Sequence, residues 1–309
     1  MPFKLAHPDL VSNSYFPAVA AIELGFFEQE GIDMQHELVF PVPDTYRAMR
    51  DGKVDFVAGS CHSPLWAFPR WEGSKLLCAL SHGMYWFLVV RKDLPIEKGD
   101  VNGLKGLRIG AAPGVDTGLI AMLRAAGIDP DAEGMKIGLP PGGIPPGTSF
   151  GVAAAQALID GELDGFWANG MGAEVAVTSG IAKCIIDVRR GDGPKEAFSF
   201  TQPGLATTAK LVEEHPDVAA GAVRAIRNTH RALKEDPGLA TRVGEKLFPE
   251  KETGLIRRLI ERDLPYYSTV ISEDFVDGMN GFAQRAGLLE GDPVPYDDIV
   301  ATQYRDLWE

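Results

Sequence analysis

Cysteine is scarce. Cys61, Cys78 and Cys184 are the only three, isolated and odd in number, so the sequence contains no disulfide framework and no Cys-x-x-Cys metal knuckle. Positive charge is also in deficit: 30 Lys and Arg stand against 43 Asp and Glu, a formal net charge of -13. That balance argues against nucleic acid as a partner, because gripping a phosphate backbone takes a Lys/Arg face, and equally against an anionic membrane surface. Long apolar runs are missing too. Stretches such as Trp86 to Val90 fall far below the roughly 20 residues that span a bilayer, so no transmembrane segment is expected. A basic n-region with an apolar h-region is absent from the start, where strand-like Phe3-Lys4-Leu5-Ala6 follows almost at once. The chain as written reads as cytoplasmic, unless a signal peptide was removed. Finally, the glycine-rich run Pro140 to Ser149 lacks the Gly-Lys-[Ser/Thr] ending of a phosphate loop and reads instead as a proline-stiffened connector or lid.

What the sequence does contain is a repeat. Ala48, Asp51, Gly52 and Asp55 return as Ala157, Asp160, Gly161 and Asp164, each time with a helical stretch that ends in Asp-Gly and runs into an apolar strand. Upstream of each copy lies a second echo, Gly31-Ile32-Asp33 and Gly127-Ile128-Asp129, where a helix stops at glycine. Two similar halves in 309 residues predict two α/β lobes facing each other across a cleft.

Alternating strands and helices fill in that plan. Lobe one opens with a strand at 3–6, a helix over 16–29 started by Pro17, a strand at 34–39, a helix over 44–50 and a strand at 54–58, then Ser63-Pro64 as a helix start. Strands at 75–80 and 86–91 follow. Lobe two repeats the order: strand 108–111, helix 117–126, strand 136–139, helix 151–159, strands 165–168 and 183–188. The chain then returns through 198–208 to helices near 217–234, 251–264, 273–285 and 295–307. The expected domains are 1–91 plus 199–309 for lobe one and 92–198 for lobe two, each a mainly parallel sheet covered on both faces.

The order of phrases, from Phe16-Pro17-Ala18 through Glu23-Leu24-Gly25-Phe26-Phe27-Glu28-Gln29-Glu30-Gly31-Ile32-Asp33 to Met49-Arg50-Asp51-Gly52-Lys53-Val54-Asp55-Phe56, resembles the NMT1/THI5-like family of substrate-binding proteins. Further matches run through Leu104 to Gly110, Ala157 to Asp164 and Glu214 to Asp217. The resemblance implies a type II periplasmic-binding-protein fold, a small-molecule ligand, an ABC permease as partner and a periplasmic location. The family includes solute receptors for sulfonates, taurine, nitrate and thiamine-pyrimidine precursors. It also touches enzymes, among them a fungal thiamine-pyrimidine synthase with a cysteine-rich iron motif. No cysteine cluster occurs here, so that iron chemistry is not expected.

In open α/β sheets ligands sit beyond the carboxyl ends of strands, which nominates the residues just after each predicted strand. Lobe one yields His7, then Ser12, Asn13, Ser14 and Tyr15, then Ser60, Cys61, His62 and Ser63, then Ser81, His82, Gly83, Met84 and Tyr85; lobe two yields Gly114, Val115, Asp116 and Thr117, the segment 148–151, and Trp167 to Met171 with Asn169 among them, and the returning chain yields Phe200. Hydroxyls and bare amides at helix starts suit an anionic or hydrogen-bonding group, although Ser63, Ser149 and Thr117 also fit as caps of their own helices. The aromatics suit a planar ring, or core packing. No Arg falls on these loops, so no bidentate carboxylate clamp is evident.

His7, His62 and His82 fall at strand ends on one rim of lobe one. Three imidazoles there suit either hydrogen bonds to ligand and backbone, or an acid-base or divalent-metal centre. Two functions therefore stand side by side. One is solute binding by cleft closure for ABC-type import of a small organic anion, aromatic acid or pyrimidine-like heterocycle, with no cofactor. The other is a cytoplasmic enzyme on the same fold, a decarboxylase or another His- or metal-dependent enzyme acting on an aromatic acid or heterocycle. A ligand sensor that signals to a partner protein is a third, weaker option.

Overall fold

The short apolar runs of the sequence form strands wherever both faces are covered, and the computed structural model, which describes residues 2–308, sorts them into two five-stranded sheets. In chain order the elements are β1 (Phe3–His7), α1 (Phe16–Glu23), α2 (Phe26–Gln29), β2 (Met34–Leu38), α3 (Val42–Arg50), β3 (Phe56–Ser60) and β4 (Ser74–Ala79). Next come β5 (Phe87–Arg91), β6 (Arg108–Ala111), α4 (Asp116–Ala125), β7 (Lys136–Gly138), α5 (Phe150–Ile159), β8 (Gly165–Ala168), α6 (Gly170–Thr178) and β9 (Ala182–Asp187). The chain finishes with β10 (Pro203–Thr208), α7 (Ala209–Glu214), α8 (Pro216–Glu235), α9 (Leu239–Leu247), α10 (Glu250–Asp263), α11 (Glu273–Arg285) and α12 (Tyr296–Ile299). Among the described residues no helix is long and apolar enough to cross a membrane.

The chain divides into two compact units, Met1–His82 with Ser199–Glu309 and Gly83–Phe198, called lobe one and lobe two below. The sheet of lobe one runs β2-β1-β3-β10-β4, and that of lobe two runs β7-β6-β8-β5-β9. Position by position the two orders match. β1 is parallel to β2 and β3, as β6 is to β7 and β8, and in each sheet one strand is reversed: β10 runs against β3 and β4, and β5 runs against β8 and β9.

The repeated phrase is the hardware of this plan. After α3 the Gly52 N–H bonds Met49 O and Lys53 N–H bonds Ala48 O; after α5 Gly161 bonds Leu158 O and Glu162 bonds Ala157 O. Both glycines take left-handed φ, +68° and +77°, the conformation this helix stop demands. The chain then turns so that Asp55 accepts Lys4 N–H at 2.8 Å, and Asp164 accepts Arg108 N–H at 2.9 Å, pinning the third strand of each sheet to the start of the first. The second echo is the same helix stop, with Ile32 N bonding Phe27 O and Ile128 N bonding Leu123 O.

Some expectations need correcting. The strand expected over 86–91 at the end of lobe one is β5, and it lies in the sheet of lobe two, where Phe87 to Val90 pair with Ala168 to Gly165. Apolar periodicity shows that a strand exists but not which neighbours it will pair with. The helix expected over 16–29 is two helices, because Gly25 takes φ +77° between them. The helices α6 and α9 had no counterpart in the sequence reading, and the stretch expected over 295–307 is α12 followed by a 3-10 turn, Thr302–Leu307.

Candidate functional site

All four same-direction strands of lobe one end at one edge of the sheet, and the polar residues of the candidate site collect there. After β1 the chain passes through Ser12, Asn13, Ser14 and Tyr15 before Pro17 starts α1; all four residues are buried. The Asn13 amide is oriented by its surroundings. Its Nδ2 donates to the Asp263 carboxylate, a group that can only accept when ionised, so its Oδ1 faces the other way; the Tyr267 hydroxyl donates to Asn13 O at 2.9 Å. Neither the Ser12 and Ser14 hydroxyls nor Asn13 Oδ1 has a hydrogen-bond partner.

At the end of β3, Ser60, Cys61 and His62 are fully buried. The Ser60 carbonyl accepts from the Tyr46 hydroxyl at 2.8 Å, and the Cys61 carbonyl accepts from Trp71 Nε1 at 3.1 Å. The Cys61 thiol lies against Gly204, where a Cβ would come within 2.5 Å of the sulfur, and burial pushes its pKa well up, so it is an inert thiol and no thiolate nucleophile. The His62 ring places Nδ1 2.9 Å from Thr201 Oγ1 and stands edge-on to Phe282, centroids 5.1 Å apart. Burial lowers its pKa to about 3, which makes it a neutral, weakly basic imidazole at neutral pH. Ser63 opens a 3-10 turn without capping it; its hydroxyl lies 3.5 Å from His62 Nε2.

The three histidines do not form one centre. His7 lies with Nε2 3.3 Å from His36 Nδ1, and its pKa is lowered to about 3 by burial and then by His36, while the Asp9 backbone pulls the other way. His36 Nε2 in turn lies 3.9 Å from Glu23 Oε1. His82, half-buried, donates from Nε2 to Val270 O at 3.2 Å and from its main chain to Tyr266 O at 2.8 Å. Each ring serves a different part of lobe one, and among the described residues no group of three His, Cys, Asp or Glu side chains is placed to hold a metal.

Two further residues belong to this edge. Ser81 follows β4 and Gln202 precedes β10; both are buried, and neither Ser81 Oγ nor Gln202 Nε2 has a partner. Gln202 escapes a search of residues after strands because β10 is reversed, so its beginning lies where its neighbours end. Phe200 stacks on Phe282, with centroids 5.0 Å apart and planes 12° apart, and Arg285 lies 5.2 Å over it. It is held in the core of lobe one.

In lobe two the nominated polar groups serve their own backbone. Asp116 Oδ1 accepts from Gly114 N and Thr117 N, each at 2.9 Å, and lies 3.5 Å from Thr117 Oγ1; burial raises its pKa against those bonds. Asn169 caps α6, accepting from Met171 N at 3.0 Å and Gly172 N at 3.2 Å, and Ser149 caps α5 through Val152 N. Tyr85, Trp86 and Trp167 form one buried cluster, with centroids 4.8 Å apart for the first pair and 6.2 Å for the second. Trp86 fills the space over Gly118 in α4, where a Cβ would lie 2.6 Å from its ring. Trp167 Nε1 is buried without a partner.

A family model described as NMT1/THI5 like matches residues 12–240. Among solved structures the chain is similar to a protein of Bordetella bronchiseptica RB50, at 21% identity over 99% of this chain and 96% of that one, with a TM-score of 0.78. It is similar to the alkanesulfonate-binding protein SsuA from Xanthomonas axonopodis pv. citri bound to MOPS, at 13% identity over 96% and 97% of the chains, TM-score 0.69. A mutant of DSZB in complex with biphenyl-2-sulfinic acid, a desulfurization enzyme, is similar at 15% identity over 99% and 98%, TM-score 0.66. At these identities the likeness shows the fold, that of type II periplasmic binding proteins, and the fold hosts both a receptor and an enzyme. No curated protein sequence matches the chain.

Proposed function

The chain belongs to the NMT1/THI5-like family, and on that footing we propose that it is the solute-binding component of an ABC-type importer, taking a small organic anion, aromatic acid or pyrimidine-like heterocycle. The observation that carries this reading is the set of buried donors without acceptors at the carboxyl edge of lobe one: the hydroxyls of Ser12, Ser14 and Ser81 and the amide of Gln202. A buried polar group left unpaired destabilises a fold by about 1–3 kcal/mol, so donors of this kind along one sheet edge suit a ligand that brings acceptor atoms. Ser14, Ser60, His62 and His82 supply the surrounding wall, and Tyr15 opens α1 beside them. An ABC permease is the partner, the place of work is outside the cytoplasmic membrane, and binding needs no cofactor.

Turnover finds less support. A thiol held well above its ordinary pKa and an imidazole lowered to about 3 are both poor proton movers at neutral pH. The test is a thermal-shift screen against sulfonates, aromatic carboxylates, nitrate, pyrimidines and divalent metals, with each hit checked for chemical integrity after hours of incubation. A persistent rise in Tm with intact ligand supports a receptor. A rise that decays as the ligand is altered contradicts it.

A further inference from the structure

Because β10 is reversed, its first residues share an edge with the last residues of β3 and β4. Gly204 pairs with Ala79, Leu80 N donates to Pro203 O at 2.9 Å, and continuing that register sets Gln202 opposite Ser81. On its other side Gln202 O accepts from Cys61 N at 2.9 Å. Ser81 and Gln202 each lie just beyond those paired positions, 1% and 2% exposed, with Oγ and Nε2 both unpartnered.

Their place in the chain matters as much as their chemistry. The chain leaves lobe one after His82 and re-enters it at Ser199, so Ser81 lies at the root of the outgoing segment and Gln202 near the root of the returning one. The backbone around them is tied down: His82 N–H bonds Tyr266 O, Thr201 Oγ1 meets the His62 ring, and Phe200 stacks on Phe282. The two side chains are the part left unpaired. No Lys or Arg occurs in 59–63, 79–83 or 200–204.

We propose that Ser81 and Gln202 form a paired, uncharged donor site for an acceptor oxygen of the ligand, a carboxylate, sulfonate or carbonyl oxygen, and that its occupation bridges the roots of the two segments linking the lobes. The proposal rests on the solute-binding reading above and adds to it the residues and the kind of atom they read. Recognition by neutral dipoles leaves affinity nearly indifferent to salt, since no exposed ion pair is there to be screened.

The test uses the full chain and a probe set of benzoate, benzenesulfonate, taurine, nitrate and cytosine, with affinity by titration calorimetry and Tm of the free protein. Ser81→Ala and Gln202→Met are each expected to lower the affinity for a bound probe about tenfold or more while the free protein melts no lower than wild type, because an unpaired buried donor has been removed. Gln202→Glu is expected to weaken the anionic probes more than cytosine. Wild-type affinity should change less than about threefold between about 50 mM and about 500 mM NaCl. Wild-type affinity retained in both Ser81→Ala and Gln202→Met, with the probe still bound, overturns the donor site and leaves the receptor reading standing. A lower Tm of the free variants with affinity intact assigns the pair a structural role and also overturns it. Failure of the wild type to bind any probe contradicts the receptor reading and the donor site together.

Discussion

Lobe one and lobe two have the same strand order, the same reversed strand and the same Asp-Gly helix stop, yet they treat their polar residues differently. At the edge of lobe two Asp116, Ser149 and Asn169 are bonded to backbone N–H groups of their own helices and turns. At the edge of lobe one Ser12, Ser14, Ser81 and Gln202 are buried with nothing to bond, and among the buried side-chain N and O atoms of the described residues in lobe two only Trp167 Nε1 shares that condition. The difference is one of local satisfaction: partnerless buried atoms gather in lobe one, at this edge and also at Trp66 Nε1, Arg227 Nε, His230 Nε2 and Glu252 Oε2, and the proposed site uses only those at the strand ends.

The comparison sharpens first at the repeated aspartates. Asp164 accepts from Arg108 N and also from Arg108 Nε and Nη2, each at 2.9 Å, whereas Asp55 has the backbone bond from Lys4. Asp164→Ala is therefore expected to cost about 2–3 kcal/mol and Asp55→Ala about 1–2 kcal/mol, after allowance for the partly exposed arginine, read by urea denaturation. Equal losses would mean that the arginine adds nothing. The Arg108 hydrogen bond holds the Asp164 carboxyl below its ordinary pKa, so its stabilisation is complete above the usual carboxylate range of about 4 and is lost as pH falls through the lower folded value. The gap between wild type and Asp164→Asn should close on acidification.

Next come the caps. Asn169→Ala should remove about 1–2 kcal/mol by unpairing the first N–H groups of α6, and Ser149→Ala about 1 kcal/mol at α5. An Asn169→Ala protein of unchanged Tm would break the claim that lobe two is locally satisfied. The smallest difference at neutral pH is expected for His62→Gln. The folded pKa of His62, about 3, lies below the ordinary 6.5, so the unfolded chain takes up a proton that the folded chain refuses. Wild-type stability should then fall as pH drops from about 6.5 toward about 3, and the variant should fall less steeply over that window. Parallel Tm curves from about pH 7 to about pH 4.5 would place the His62 ring in contact with solvent.

Much of the scaffold was legible because its demands are local. A helix stop with left-handed backbone selects glycine, and an aspartate that accepts a strand N–H recurs at a fixed distance, so Asp51-Gly52 and Asp160-Gly161 announce two like halves. Helix α6 is hard to read from sequence because Gly170 and Gly172 hide a helix start whose signal is Asn169 alone, a residue type that fits a ligand contact equally well. Long-range pairing was the larger blind spot. Nothing near residues 86–91 shows that they pair with β8 and β9, and nothing near Gln202 shows that β10 is reversed. His7, His62 and His82 share a rim in the sequence reading, yet His36, Thr201 and Val270 divide them, and those partners lie far away in the chain.

The most direct measurement compares affinity for one bound probe among wild type, Ser12→Ala/Ser14→Ala in lobe one and the cap variant Ser149→Ala in lobe two. The expected result is a loss of about a hundredfold in the double variant, with Tm of the free protein unchanged or raised, and affinity within about twofold of wild type in Ser149→Ala despite a lower Tm. Full affinity in Ser12→Ala/Ser14→Ala would contradict the assignment of ligand recognition to the unpaired donors of lobe one.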